Sequence, residues 1–362
     1  MYYDILNCLS WMKILVTGGA GFIGSHTCLT LLEKDYEVVV IDSFINSNKK
    51  SLQRVIDILK SNKNIKNIKI ELIEADIRDE NILDKIFSDS LRIGKPFEAV
   101  IHFAGLKSVK ESKLNPINYW DFNVNGSIKL LTVMNRYKCR TIVFSSSAAI
   151  YGAFNNNEPI NEDQAINPIN PYGMTKAAIE QLLNNLYESN PSEWKIANLR
   201  YFNPIGAHSS GLIGESPTGI PDNIFPYITQ VASGSLDRLT IYGNDWPTKD
   251  GTGIRDYIHV VDLAEGHILA LEYLVGNKSQ IINLNLGTGS GTSVLELVNT
   301  FETVNSIQVP FEFTGRRIGD SCSLIANNSK AYSYLKWTPK RDLKAMCRDG
   351  WKWQSSNPEG YL

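Results

Sequence analysis

The chain has 362 residues, of which 43% are hydrophobic and 20% charged, and its formal net charge is −2. This length suits one large domain or two of ordinary size, with ample apolar material for a core. The near-neutral balance argues against an electrostatic nucleic-acid footprint, and no apolar run approaches the roughly 18 residues of a membrane span.

The five cysteines, Cys8, Cys28, Cys139, Cys322 and Cys347, are odd in number and form no C-x-x-C pair. They read as reduced thiols of a cytoplasmic protein rather than a disulfide framework. No H-E-x-x-H or Cys/His cluster appears, so no metal is expected. Residues 1–11 lack a basic start, an apolar stretch and a small-residue cleavage site. They are expected to form a disordered extension ahead of Met12.

From Met12 onward, short β-branched runs alternate with amphipathic stretches. Lys13 to Thr17 reads as a buried strand, Phe22 to Glu33 as a helix, Val38 to Ile41 as a strand and Leu52 to Lys60 as a helix. Then come a strand over Ile68 to Ile73, a helix over Ile82 to Phe87 and a strand over Ala99 to Ile101. Ile117 to Tyr137 reads as one long helix, Thr141 to Phe144 as a strand, Lys176 to Tyr187 as a helix and Ile196 to Leu199 as a strand. Strands alternating with helices predict an α/β fold, a doubly wound parallel sheet of the Rossmann type. Continuous apolar strands fit burial on both faces. After about Asn203, Gly and Pro become frequent and the strands irregular. The expected division is a nucleotide-binding domain over 12–203 and a smaller α/β substrate domain over 204–362.

The first strand runs into Gly18-Gly19-Ala20-Gly21-Phe22-Ile23-Gly24, a G-x-x-G-x-x-G spacing between strand and helix. Such glycines let backbone N–H groups approach a pyrophosphate at the helix N-terminus. Asp42 closes the next strand, where a carboxylate accepts from the adenosine ribose hydroxyls and repels a 2′-phosphate, so NAD is expected rather than NADP. Asp76 and Ile77 after the third strand, and Phe103, Ala104 and Gly105 after the fourth, are further cofactor positions, because ligands of open α/β sheets bind beyond the carboxyl ends of the strands.

Asn170-Pro171-Tyr172-Gly173-Met174-Thr175-Lys176 carries the candidate chemistry. Asn170 suits an N-cap and Pro171 a first helical turn, which places Tyr172 and Lys176 one turn apart on one face. A free tyrosine, with a pKa of about 10, is a poor base near neutrality. A neighbouring ammonium and a positively charged nicotinamide stabilise the phenolate, so Tyr172 can remove a hydroxyl proton while hydride leaves the same carbon. Ser145-Ser146-Ser147 ends the fifth strand, where a serine can hydrogen-bond the reacting oxygen.

With these segments in place the chain resembles the extended short-chain dehydrogenase/reductase family and, within it, the UDP-glucose 4-epimerases. The resemblance runs from about Met12 to the C-terminus. Its more specific segments are Leu199-Arg200-Tyr201-Phe202-Asn203-Pro204 and Asp250-Gly251-Thr252-Gly253-Ile254-Arg255-Asp256-Tyr257-Ile258-His259. It implies a general base at Tyr172, an electrostatic partner at Lys176 and a hydroxyl on the sugar oxygen at Ser147. It implies NAD contacts at Gly18, Gly21, Phe22, Ile23, Gly24, Asp42, Ser43, Asn46, Ser47, Asp76, Ile77, Phe103, Ala104, Gly105, Lys107, Tyr172, Lys176 and Phe202. UDP-sugar contacts are implied at Ser147, Asn203, Asn223, Thr240, Ile241, Tyr242, Arg255, Tyr257, Arg317 and Asp320, with Leu324 bordering the C2 substituent. Two positions depart from the family pattern: Ser43 and Phe122 stand where asparagine is common.

The implied reaction removes the C4 hydroxyl proton and hydride, lets a 4-keto sugar turn, and returns hydride to its other face. NAD is regenerated and stays bound, and a homodimer is implied. The nearest rival, a nucleotide-sugar 4,6-dehydratase, carries Thr-Asp-Glu where this chain has Ser147-Ala148-Ala149. Alanines neither donate nor accept a proton, so elimination is disfavoured. A UDP-glucuronate 4-epimerase and a non-catalytic NAD-sensing protein remain open alternatives.

Overall fold

The computed structural model describes residues 12–63, 65, 67–153, 158–217, 219, 221–317 and 319–362. The extension expected over 1–11 lies outside the described residues. The contacts divide the chain into two units. The first comprises the chain up to Ser146, Asn170–Leu199 and Ala264–Asn283; the second comprises Ser147–Ile169, Arg200–Leu263 and Leu284–Leu362. The units interleave along the chain, each made of three segments.

The main sheet holds β1 (Lys13–Thr17), β2 (Glu37–Asp42), β3 (Ile70–Glu74), β4 (Ala99–His102), β5 (Thr141–Ser147) and β6 (Lys195–Tyr201). A seventh strand, Gln280–Leu286, lies beside β6, so the sheet runs β3-β2-β1-β4-β5-β6 and then this strand. β1 pairs in parallel with both β2 and β4, β2 with β3, and β4 with β5. The expected doubly wound parallel sheet is the one observed. β1 and β4 are wholly buried, as strands covered by helices on both faces must be. Leu15, Val39, Ile41, Val100, Ile142 and Phe144 from the strands pack with Leu83, Phe87, Leu130, Met134, Ile179 and Leu183 from the helices. The strand order reverses direction between β1 and β4, and such a switch point is where open α/β sheets bind ligands.

The predicted elements are present with shifted ends, except for one helix. The helix expected over Ile82 to Phe87 extends over Glu80–Arg92, because Asp79 caps it by accepting from the N–H groups of Asn81 and Ile82. The single long helix expected over Ile117 to Tyr137 is interrupted. Pro116–Tyr119 and Gly126–Arg136 are α-helical, and Trp120–Asn125 between them is a π-helical turn. Such bulges leave no trace in apolar periodicity and occur often at functional sites.

The second unit holds small sheets. Asn203–Ile205 pairs in parallel with Tyr257–His259, and Leu239–Tyr242 with Phe311–Thr314. Ile254–Arg255 lies between Thr292–Ser293, antiparallel, and Ser323–Leu324, parallel. The helices Ile224–Ala232, Val294–Asn305 and Leu343–Ser356 contribute Phe225, Ile228, Leu297, Phe301 and Met346 to one core with Ile205, Leu239, Ile241 and Tyr257. Among the described residues no helix is long and apolar enough to cross a membrane.

Candidate active site

The glycine-rich segment forms the turn that its spacing predicts. Gly18 has φ +70°, and a Cβ there would lie 2.6 Å from the Ala104 nitrogen, so β1 and the end of β4 approach more closely than a side chain allows. A Cβ on Gly24 would lie 2.3 Å from the Gly18 carbonyl oxygen. Gly21 is the N-cap of Phe22–Glu33, and its carbonyl receives the Ser25 N–H at 2.9 Å. The N–H groups of Phe22, Ile23 and Gly24 therefore sit in the first turn, where no intrahelical acceptor exists. This is a backbone cradle shaped for an anion.

Asp42 is buried at the end of β2. Its Oδ2 accepts from Ala20 N at 2.9 Å, and its Oδ1 from Phe44 N at 3.0 Å and Ser47 Oγ at 2.7 Å. Three donors orient the carboxylate and leave lone-pair capacity for a further hydroxyl. Ser47 is thus placed by Asp42, while Ser43 and Asn46 are exposed on the same loop.

Asp76 follows the end of β3. Its carboxylate is taken up by Arg78, which donates from Nε at 3.0 and 3.1 Å and from Nη2 at 2.6 Å. The Arg78 hydrogen bonds hold its pKa below the ordinary aspartate range. Arg78 also pairs with Asp121 at 2.5 Å and lies 3.5 Å from the centre of the Phe122 ring. Phe122, read from sequence only as a departure, is therefore part of an Arg78 clamp. Ile77 is a core residue packed against Gly126.

Phe103, Ala104 and Gly105 follow β4 as half-buried backbone, and Lys107 is exposed beyond them. Their loop is held by Asn123, which sequence reasoning left without a role. Its Oδ1 accepts from Leu106 N at 2.8 Å, and its Nδ2 donates to Leu106 O at 3.1 Å and to Thr175 Oγ1 at 3.0 Å. Asn123 lies in the π-turn at 1% exposure. It joins the loop after β4 to the helix bearing Tyr172.

That helix, Pro171–Ser189, is capped by Asn170, whose side chain accepts from Gly173 N at 2.9 Å. Tyr172 and Lys176 are both buried, at 9% and 5% exposure. The Lys176 Nζ lies 5.9 Å from the Tyr172 ring centre and 4.9 Å from that of Phe144, and it donates to the Ser145 carbonyl at 2.8 Å. Burial drives the Lys176 amine down to about 8, and the charge of Glu180 opposes that fall. His102 on β4 is wholly buried between Thr17 Oγ1 and Ser127 Oγ, at 2.7 and 2.9 Å. Burial, and then the charge of Lys176, push its pKa down to about 3, so it stays neutral. Ser147 is the last residue of β5, half-buried, and its Oγ accepts from Ala149 N at 3.2 Å.

In the second unit, two of the expected sugar-nucleotide pairs come together. Arg317 lies over Tyr242 with its Cζ 3.7 Å from the ring centre, and Arg255 Nη2 is 3.7 Å from Asp320 Oδ1. Arg255 is further held by Ile254 O at 2.8 Å and Ser321 O at 3.0 Å. Leu324 is the register partner of Arg255. Thr240 and Tyr242 alternate with Ile241, which is 1% exposed in the core, so only the backbone of Ile241 can face a ligand. Asn223 approaches Glu215 at 3.4 Å, Asn203 is half-buried at the start of its strand, and Phe202 is buried. Tyr257 is 2% exposed, its hydroxyl meets no partner among the described residues, and burial pushes it up to about 12.

Asp256, between Arg255 and Tyr257, carried no functional signal in the sequence. It is fully buried, and both oxygens act as acceptors: Oδ1 from Thr288 N and Oγ1 at 2.7 Å each, Oδ2 from Gly289 N at 2.9 Å and Ala326 N at 3.1 Å. Its backbone adds Asp256 N to Leu324 O and Asn203 N to Asp256 O, each 3.0 Å. One residue thus joins the strands carrying Asn203, Arg255 and Leu324.

The comparisons with known proteins agree with this geometry. A family model described as GDP-mannose 4,6 dehydratase matches residues 15–350. A UDP-glucose 4-epimerase from Bacillus subtilis is 50% identical over 350 residues, covering 97% of this chain and 99% of its own. UDP-glucose 4-epimerase 2 from Arabidopsis thaliana is 49% identical, covering 96% and 97%. Among solved structures, a UDP-glucose 4-epimerase from Stenotrophomonas maltophila with bound NAD and formylated UDP-arabinopyranose matches with TM-score 0.89 at 44% identity, over 96% of this chain and 99% of that one. One from Bifidobacterium longum in complex with NAD+ and UDP matches with TM-score 0.88 at 42% identity, over 96% and 100%. Ala148 and Ala149 carry no side-chain acid where a dehydratase of this kind would need one. The chain belongs to the UDP-glucose 4-epimerase family of extended short-chain dehydrogenases/reductases.

Proposed function

We propose that the protein interconverts UDP-galactose and UDP-glucose by inverting C4 of the sugar, with NAD held throughout the cycle. The observation carrying this reading is the buried Tyr172–Lys176 pair, in the same unit as the glycine cradle and Asp42. These residues fit the cofactor: Gly18 and Gly24 leave no room for a Cβ where the backbone must reach a pyrophosphate. Asp42 suits ribose hydroxyls and disfavours a 2′-phosphate. When bound, NAD supplies the acceptor and later the donor of the C4 hydride.

The protein's own groups do the rest. Tyr172, as phenolate, takes the C4 hydroxyl proton and later returns it. Lys176 stabilises the phenolate, and Ser147 donates to the C4 oxygen. Arg255 and Arg317 hold the diphosphate, for which planar guanidinium groups are suited, while the 4-keto sugar turns its other face. The buried hydroxyl of Tyr257 is a fit for a substrate acceptor, since an unmade buried hydrogen bond is costly. We assign Phe22, Ile23, Gly21, Ser43, Asn46, Ser47, Asp76, Ile77, Phe103 to Gly105, Lys107 and Phe202 to the NAD side of this reading. Asn203, Asn223, Thr240 to Tyr242, Asp320 and Leu324 belong to the UDP-sugar side.

Purified protein is expected to release a nicotinamide nucleotide on acid denaturation and to epimerise UDP-galactose without added cofactor. A panel that adds UDP-glucuronate and UDP-N-acetylglucosamine separates the related activities. Absence of both bound nucleotide and turnover, with NAD supplied, overturns the reading.

Asp256→Asn is expected to raise the KM for UDP-galactose roughly tenfold, about 1.4 kcal/mol, the scale of a buried hydrogen bond lost. The new NH2 would face N–H donors that now meet an oxygen. NAD content should stay unchanged, because none of the NAD positions named above hangs on this carboxylate. Parallel measurement of KM and bound NAD tests it.

The same reading includes a homodimer, a cytoplasmic location and a place in galactose metabolism. Exposed Ile117, Trp120, Ile128 and Met174 on the helices of the first unit support self-association. Cys28, Cys139, Cys322 and Cys347, all buried and unpaired, support a reducing compartment. Light scattering of the purified protein at several concentrations decides the first.

A further inference from the structure

Glu180 is 1% exposed, yet neither the cofactor nor the substrate reading uses it. It lies four residues after Lys176 on the Pro171–Ser189 helix, so the two side chains share a face, one turn apart. A buried carboxylate is costly unless it is paired and hydrogen-bonded. Here its Oε1 accepts from the hydroxyl of Ser146. Ser146 is flanked on β5 by Ser145, whose carbonyl receives Lys176 Nζ, and by Ser147, the serine assigned to the sugar oxygen. The three consecutive serines therefore meet the lysine, the glutamate and the substrate position in turn.

We infer that Glu180 is a positioning residue for Lys176: its carboxylate, locked by Ser146, keeps the buried amine in the ammonium form that the Tyr172 phenolate needs. The inference rests on the catalytic reading of Lys176 given above. Burial alone drives the Lys176 amine toward neutrality, and the negative charge of Glu180 is what counters it. Among the described residues, the titratable groups facing Lys176 are Glu180 and Tyr172 from its own helix and His102 from β4. β5 presents the Ser145 carbonyl and the Phe144 ring, neither of which titrates. His102 stays neutral and Tyr172 carries no charge until it ionises, so before that step Glu180 is the anion that holds the proton on Lys176.

The consequence is a specific change in pH dependence. The ammonium is lost as pH rises through the Lys176 pKa, which sets an alkaline limb of activity. Without the carboxylate that pKa falls, so the limb moves to lower pH. The test measures kcat from pH 6 to 10 in the NAD-loaded parent, Glu180→Gln and Ser146→Ala. A downward displacement of the alkaline midpoint by about one pH unit is expected in Glu180→Gln, with a smaller one in Ser146→Ala, where the carboxylate loses its anchor but keeps its charge. The KM for UDP-galactose and the bound NAD should be unchanged. An alkaline limb that coincides with the parent's, or a loss of activity equal at every pH, overturns the inference. Where Glu180→Gln does not fold, the limb of Ser146→Ala decides alone. A parent without epimerase activity refutes the catalytic reading instead.

Discussion

Tyr172→Phe is expected to retain NAD and to lose turnover by about 10² or more, the scale of acid–base catalysis removed. The ring still fills its buried site, at 9% exposure, so the fold has no reason to open. What disappears is the oxygen to which we assign the C4 proton. Lys176→Ala should also be slow, and its activity should appear at higher pH. A cation beside a phenol lowers the phenol's pKa; removing it raises that pKa, and the reactive phenolate then forms only in more alkaline solution. Measured kcat against pH for both variants, with NAD content read from acid-released nucleotide, checks the pair. Near-parental turnover at neutral pH in both would remove Tyr172 and Lys176 from the mechanism.

Leu324→Ser is expected to narrow the discrimination between UDP-galactose and UDP-N-acetylgalactosamine. Leu324 is half-buried and lies in parallel register with Arg255, whose guanidinium is assigned to the diphosphate. Its carbonyl is held by Asp256 N at 3.0 Å, so the backbone at this position is fixed and side-chain volume is the variable. Discrimination by the size of an apolar wall is worth about 1–3 kcal/mol, roughly 10–200-fold in kcat/KM. The parent should prefer the sugars without the N-acetyl group, and serine should close most of that gap. Equal kcat/KM values in the parent, or a ratio that serine leaves unmoved, would show that Leu324 is no gate.

Asp76 and Asn123 illustrate how differently two positions at the same sheet edge could be read from sequence. Asp76 was legible as a strand-end acid with Arg78 two residues on, but Asp121 and Phe122, which complete the clamp, come from a helix more than 40 residues on. Asn123 was hidden inside a helix of apparently regular periodicity. It lies in the π-turn and is buried, bonding Leu106 and Thr175. Side-chain periodicity reports which face is apolar, not where one extra residue per turn shifts the register.

What the sequence by itself determined is the local chemistry: the parallel sheet, the glycine turn, Asp42, and Tyr172 with Lys176. These follow from interactions within a few residues or from a repeating pattern, so spacing alone carries them. What only the tertiary structure decided is which distant groups support them. Glu180 meets Ser146, 34 residues away. Asp256 meets Thr288, Gly289 and Ala326, from 32 to 70 residues away. The units also interleave, since the strand Gln280–Leu286 completes the sheet beside β6. A buried carboxylate reads in sequence like any surface acid, and the donors that make its burial tolerable are brought to it only when the chain has folded.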